Sequence, residues 1–276
     1  MNVYCQTSFK MDKKAGHYYV SANVNDMGTA RVLTVTNMQV MLVGEDNFNR
    51  YFNSSDYKEV DSDHADYTSN EFGYKTQKVL RGKVKIGDLA FDGDIYVLEN
   101  FDQICVPVHV LKNEADTAAN LIRFNFKKKT LDFVGKDAID INKMHTYNII
   151  EYKPWPVFEA SLDIADAYGH DGQTNGKFIF DMSNGTALYL FLDNIAPFIK
   201  SNKLKVSPAQ DKSFNIVGYG LYADYLKLGD KSNQGISVGL LKNTYNCDGV
   251  LGSVGPSMFG SGTVILNQAE SVIYYD

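Results

Sequence analysis

Asp181 ends the apolar run Phe178-Ile179-Phe180 and is followed by the turn-forming residues Met182-Ser183-Asn184-Gly185. A carboxylate on such a turn can serve as a general acid or base. Beside a second carboxylate it can share one proton, so that one group activates water while the other polarises a carbonyl. The partner is sought in the first half of the chain, which repeats the pattern around Asp181. Asp181 precedes Gly229, in the turn Leu228-Gly229-Asp230, by 48 positions (229 − 181), and Thr34 precedes Gly87, in the turn Ile86-Gly87-Asp88, by 53 (87 − 34). Thr34 is therefore read as the position equivalent to the missing acid, in Val32-Leu33-Thr34-Val35-Thr36-Asn37. A hydroxyl donates and accepts hydrogen bonds but does not supply a second ionisable carboxyl. No residue from Val32 to Val43 is acidic, so a slip of a few positions leaves that conclusion in place.

Other chemistries find less support. His17, His64, His109, His145 and His170 are scattered, without the i,i+4 spacing of a helical zinc site, and no metal or cofactor is expected. Ser253 and Ser257 flank glycines, yet the surrounding residues form neither a nucleophile elbow nor a phosphate loop. Asp163, Asp166 and Asp193 read as turn or surface acids, and His170 as an exposed turn residue. Cys105 and Cys247 each fall 18 positions after a turn glycine (105 − 87 and 247 − 229). That shared place reads as a small core residue in both copies, with a bridge between the copies as the alternative. Tyr189 and Tyr222, with Ser183, Asn184 and Gly185, are candidate binding residues, since tyrosines make broad contact surfaces and the turn can hold a carboxylate through its backbone N–H groups.

The elements that must position these residues are mostly strands. Segments 18–24, 30–35, 79–86, 95–97 and 121–126 mix β-branched and aromatic residues between Gly, Asn and Asp turn signals. A short helix, or a strand followed by a helical turn, is expected within 187–198, and another short helix within 113–119. Lys127-Lys128-Lys129 lies between two apolar pairs and reads as a hairpin tip rather than a polyanion site. The two copies are each closed by a pair of strands, 124–126 with 131–133 and 265–267 with 272–274. Residues 140–156 carry the chain between them. The polar stretch 47–73 reads as a surface insertion, or alternatively as a flap over a cleft.

With 276 residues, 44% of them hydrophobic and 13% aromatic, the chain can fill one large core or two moderate ones. Its 27 basic and 33 acidic residues give a net charge of −6, which argues against nucleic acid as the main partner. No apolar stretch is long enough to span a bilayer, and the polar start is not a secretory signal, so a soluble protein is expected, exported only if a leader has been removed. Compartment and oligomeric state stay open.

The order of pieces in the second half resembles a lobe of the aspartic peptidases, pepsin-like and retroviral-type alike. Phe178-Ile179-Phe180-Asp181 is followed by Tyr225-Leu226-Lys227-Leu228-Gly229, and Asp248-Gly249-Val250-Leu251-Gly252 is similar to the family's Asp-Gly-Ile-Leu-Gly. The resemblance implies an all-β, bilobal fold built from two retroviral-protease-like lobes, 1–140 and 141–276. In the first lobe Val108-His109-Val110 is aligned with Val250-Leu251-Gly252, because 110 − 87 and 252 − 229 both equal 23. Where the family has Asp-Thr-Gly, this chain has Asp181-Met182-Ser183, so the threonine that bonds across the lobes and the motif glycine are both replaced. The resemblance with these losses implies a non-catalytic or atypical peptidase-like protein, with Asp181 vestigial or atypical, that binds an extended peptide or protein between its lobes. Two alternatives are an active aspartic endopeptidase with an atypical dyad on Asp181 and a structural or assembly protein without a cleft ligand.

Overall fold

The computed structural model describes residues 7–61, 74–114, 120–151, 155–210, 216–241 and 249–276. Period-two patterning places the strands: in His17–Asn23 the buried residues are Tyr18, Val20 and Ala22, and the facing strand Thr29–Val35 buries Ala30, Val32 and Thr34.

The same sequence of ladders occurs in both halves. In the first, Thr29–Val35 runs antiparallel to His17–Asn23 and parallel to Ile104–Pro107, while Met41–Gly44 runs antiparallel to Ile104–Pro107 and parallel to Leu89–Leu98. In the second, Asp171–Phe180 runs antiparallel to Val157–Asp166 and parallel to Val250–Val254, while Leu188–Phe191 runs antiparallel to Val250–Val254 and parallel to Lys231–Leu241. A helix follows at the same point of each half, Glu45–Tyr51 and Leu192–Ser201.

Several sequence expectations change here. The start of the polar stretch 47–73 belongs to the helix Glu45–Tyr51, which buries Phe48 and Tyr51 and stacks Phe48 on Phe52 at 5.2 Å; residues 62–73 lie outside the described residues. The helix expected over 113–119 is replaced at its start by the short strand Lys112–Asn113, and 115–119 are not among the described residues. Val108–Val110 is a 3-10 turn and not a strand, because Ile104–Pro107 is the segment that pairs with Thr29–Val35. Gly252 thus has Ile104 as its counterpart, since Phe178 faces Gly252 where Val32 faces Ile104.

The halves are joined by one antiparallel sheet. Its order is Thr7–Lys14, Thr130–Val134, Leu121–Asn125, Thr263–Asn267, Val272–Tyr275 and His145–Glu151, with Arg123 opposite Ile265 at the centre. The segment expected only to carry the chain across therefore supplies the last strand of this sheet, His145–Glu151, which goes on to pair with Val157–Asp166, and the lysine run forms the tip of a hairpin as its flanking residues suggest. This sheet supports the Asp181 turn directly: Phe124 meets Phe180 edge-on at 5.9 Å, and Phe180 meets Phe259 at 5.9 Å.

Asp166, expected as a turn or surface acid, is a turn acid and is 3% exposed. It closes the hairpin tip by accepting backbone N–H bonds from Tyr168 at 2.9 Å, His170 at 3.0 Å and Lys205 at 2.9 Å, with the His170 ring at 3.0 Å. Burial would raise its pKa, but these backbone donors and the imidazole outweigh that and hold it at about 2. A depressed carboxyl contributes stability that is complete above the ordinary carboxyl range and is lost as pH falls toward 2. Asp166→Asn is accordingly expected to lower unfolding stability by about 2 kcal/mol at pH 7, a difference that closes near pH 2 in urea titrations.

Candidate functional site

Two equivalent hydrogen bonds fix which residue of the first half holds the place that Asp181 holds in the second. The Gly87 N–H donates to Asn23 O at 2.7 Å, and the Gly229 N–H donates to Ser161 O at 3.0 Å. Asn23 pairs with Thr29, and Ser161 pairs with Asn175. Six residues beyond Thr29 stands Val35; six beyond Asn175 stands Asp181. Thr34 is thus not the equivalent position. It is fully buried and turns its hydroxyl the other way, donating to Tyr18 O at 3.0 Å, whereas Val35 lines the cavity that Asp181 enters. Counting back from the glycine turns misplaces the residue because the loops between differ in length.

Thr36, the residue after Val35, ties the two halves together. Its Oγ1 donates to Phe180 O at 2.8 Å and accepts from the Met182 N–H at 2.9 Å, gripping the peptide units on either side of Asp181. Met182, which holds the place of Thr36 in the opposite half, has no hydroxyl to return such a bond and packs into the core. Further contacts cross at the same place: His17 Nδ1 lies 2.6 Å from Ser183 O, the Trp155 indole N–H donates to Asn37 O, and Gly16 passes so close to Gly185 that a Cβ there would sit 2.8 Å from its Cα.

Asp181 itself is 5% exposed. Its Oδ1 accepts the Ser183 N–H at 2.8 Å and the Ser183 hydroxyl at 2.6 Å, and its Oδ2 faces Asn37 Nδ2 at 3.3 Å. Burial pushes the carboxyl above the ordinary range, although Ser183, His17 and Asn184 each favour the charged form.

The cavity beside it has a volume of about 350 Å³ and is walled in the first half by Leu33, Val35, Met38, Leu42, Leu98 and Phe101. Tyr189 and Leu241 line it from the second half, and His17, Asn37, Gln103, Ser183, Asn184 and Ser253 add polar groups to its lining. Among the described residues Asp181 is the one carboxylate lining it. Ser183, His17 and Asp181 bring together the residue types of an acyl-transfer triad in the wrong order: the serine hydroxyl is turned to the carboxylate, and the imidazole contacts the serine carbonyl.

Of the residues singled out from sequence, the structure gathers Asp181, Ser183, Asn184 and Tyr189 around the cavity. Gly185 stands at the crossing with Gly16, and Tyr222 is 53% exposed on the strand Ile216–Leu228, away from the cavity lining. Cys105 is a free, buried thiol beside Leu33, and its strand register matches Ser253, not Cys247; Cys5, Cys247 and Asp248 lie outside the described residues. Val35, Thr36, Asn37 and His17 were missed. Thr36 carried a legible signal, for Val35-Thr36-Asn37 has a threonine at the middle position, as Asp-Thr-Gly has.

No family model matches the sequence, and no curated protein does. Among solved structures the chain is similar to the aspartic proteinase from Irpex lacteus, with a TM-score of 0.59 over 98% of this chain and 97% of that one, at 13% identity. The chain has the aspartic-proteinase fold. On this fold no helix among the described residues is long and apolar enough to cross a membrane, and no group of three or more His, Cys, Asp or Glu side chains stands close enough to hold a metal ion.

Proposed function

We propose that this chain is a non-catalytic relative of the aspartic peptidases that binds an extended peptide or protein segment in the cleft beside Asp181. In this reading residues 1–140 and 141–276 descend from one duplicated lobe, whose repeated order of ladders is the support. The observation that carries the functional reading is Val35, an apolar side chain at the place from which a second carboxylate would share the proton of Asp181. A lone acid can donate or accept a proton but cannot hold the singly protonated pair on which two-carboxylate hydrolysis depends. The cleft has what peptide binding needs: apolar walls for a side chain, a few polar groups in its lining, and the Thr36 grip that sets one half against the other.

The test is a diverse peptide library incubated from pH 3 to 8 with the parent protein and with Asp181→Ala, with products and retained peptides read by mass spectrometry. Retention of peptides by the parent without cleavage is the expected result. Cleavage by the parent that vanishes in Asp181→Ala establishes an active peptidase and overturns the proposal. Retention of no peptide at any pH points instead to a structural or assembly role.

A further inference from the structure

We infer that the segment held in the cleft continues into an acidic stretch, and that this stretch docks on six lysines of two adjoining hairpins, Lys10, Lys13, Lys14, Lys127, Lys128 and Lys129. This inference rests on the peptide-binding reading and adds the charge of the partner outside the cavity.

The hairpin tip 125–130 by itself is a solvated turn with three lysines. A second trio stands 113 positions earlier (127 − 14), on the strand Thr7–Lys14, and the fold lays the two against each other. Lys10 faces Thr130 in the ladder, and the Met11 N–H donates to Lys129 O at 2.7 Å. Lys13 faces Tyr18 across its own hairpin and holds its ammonium 5.3 Å from the centre of that ring. The same ring meets Phe126, the residue before Lys127, at 5.2 Å. The Lys128 N–H donates to Asn125 Oδ1 at 2.8 Å, which closes the tip. All six lysine side chains are exposed.

The positive charge of this surface is left for a partner. No ion pair among the described residues engages any of the six, whereas Lys83, Lys85 and Lys136 each have a carboxylate beside them. The acids on these strands are already taken up: Asp12 by Arg31 at 3.1 Å, and the buried Asp132 by Arg123 at 2.9 Å and by the Ser8 and Thr130 hydroxyls. Without the six lysines the chain carries 21 basic residues (27 − 6) against 33 acidic ones, a balance of −12. A long polyanion such as nucleic acid would run off the patch onto that acidic remainder, whereas a stretch of a few carboxylates is contained within it. A membrane-surface site pairs basic residues with exposed apolar ones, and none of the exposed large hydrophobic side chains among the described residues belongs to either hairpin.

The patch begins at the rim of the cavity. Lys14 pairs across the hairpin turn with His17, which lines the cavity, and Gly16 between them is the residue that crosses to Gly185. From Lys14 to Lys10 the strand advances four residues (14 − 10), about 13 Å at the ordinary strand rise, so an extended stretch of about four residues covers the patch. A chain leaving the cavity past His17 meets Lys14 and Lys13 first, then Lys10 and the lysine tip. Exposed ion pairs contribute little singly and are screened by salt. Several together speed capture and discriminate among segments that suit the cavity equally well.

The experiment uses the full chain, immobilised, at pH 5 and 7, with a library of N-acetylated, C-amidated hexapeptides of varied sequence. Each is extended at one end or the other by four glutamates or, in a matched set, by four glutamines. Retention is read by mass spectrometry at about 50 and 500 mM salt. The proteins are the parent, Lys10→Gln with Lys13→Gln and Lys14→Gln, and Lys127→Gln with Lys128→Gln and Lys129→Asn, asparagine being suited to the left-handed backbone at position 129 (φ 55°). Lys200→Gln with Lys203→Gln and Lys205→Gln is the control, removing three exposed charges from the second half. The parent is expected to retain glutamate-extended peptides at least tenfold more than their glutamine twins at low salt and less than threefold more at high salt. Each patch variant should lose at least fivefold of that preference, with glutamine-extended peptides held within twofold of the parent, and the control should keep it. Equal retention of the two sets by the parent, a preference that both patch variants keep, or one that the control loses to the same extent overturns the inference and leaves peptide binding standing. Blocked tetraglutamate retained as strongly as the extended hexapeptides detaches the patch from the cleft and also overturns it. So does tighter binding of phosphatidylserine vesicles or of a single-stranded oligonucleotide than of any extended peptide. If no peptide of either set is retained, the peptide-binding reading itself falls and this inference with it.

Discussion

Thr36→Val is expected to destabilise the protein by about 2–5 kcal/mol, far more than a single lost hydroxyl ordinarily costs, because it strips a partner from two backbone groups at once. The Oγ1 of Thr36 donates to Phe180 O at 2.8 Å and accepts from the Met182 N–H at 2.9 Å, and all three residues are fully buried. Water cannot replace the hydroxyl without opening the joint between the halves, and Met182 offers no reciprocal bond to share the load. Thr34→Val is the control. It has the same change of atoms, two residues earlier, at an equally buried position, but loses the one bond to Tyr18 O at 3.0 Å within a single half. Its expected cost is about 1 kcal/mol. Urea unfolding of the two variants beside the parent checks the difference, and Thr36→Ser should recover most of the loss. Equal shifts for positions 34 and 36 would remove the grip from the account of how the halves are held.

The contrast between these neighbours also shows which parts of the molecule can be read from its sequence. Apolar alternation and turn residues locate the strands around Tyr18, Val32 and Phe178, since each strand buries one face and the pattern is local. The acid-deficient first half was legible too, because no slip within Val32 to Val43 reaches an acid. The facing residue was not. A shift of one position in a strand moves a side chain to the other face, so reading Thr34 in place of Val35 exchanges a core hydroxyl for the cavity wall. That register is set by long-range hydrogen bonds, Gly87 to Asn23 and Gly229 to Ser161, that leave no mark on local composition. His17 escaped for the same reason: 166 residues separate it from Ser183, and a histidine beside a hairpin glycine looks like any turn residue. The strand His145–Glu151 was hidden by its role as a connection: its last residues pair with the next strand, Val157–Asp166, but its first residues pair with Val272–Tyr275, at the other end of the second half.

On the proposed non-catalytic reading, Val35→Asp is expected to bring peptide cleavage to the cleft, with activity confined to about pH 3–5, where two neighbouring carboxyls would hold one proton between them. The substitution places a carboxyl at a 1% exposed position, so a loss of stability accompanies it. That loss should be smallest in acid and grow as pH rises, because both groups cannot ionise at close range without strong repulsion. Cleavage of the diverse peptide library, read by mass spectrometry at least tenfold above the parent background at pH 4, is the expected readout. Val35→Asn, with nearly the same shape but no proton to share, should stay at background, as should Val35→Asp combined with Asp181→Ala. A Val35→Asp protein that is folded at pH 4, retains peptides and cleaves none would show that restoring an acid at position 35 is insufficient. The silence of the cleft would then have to be placed in the other departures from Asp-Thr-Gly: Met182, which cannot return the Thr36 bond, and Ser183, whose hydroxyl occupies the inner oxygen of Asp181 at 2.6 Å. Cleavage would instead make the loss of one carboxyl the decisive difference between a binding cleft and a catalytic one on this scaffold.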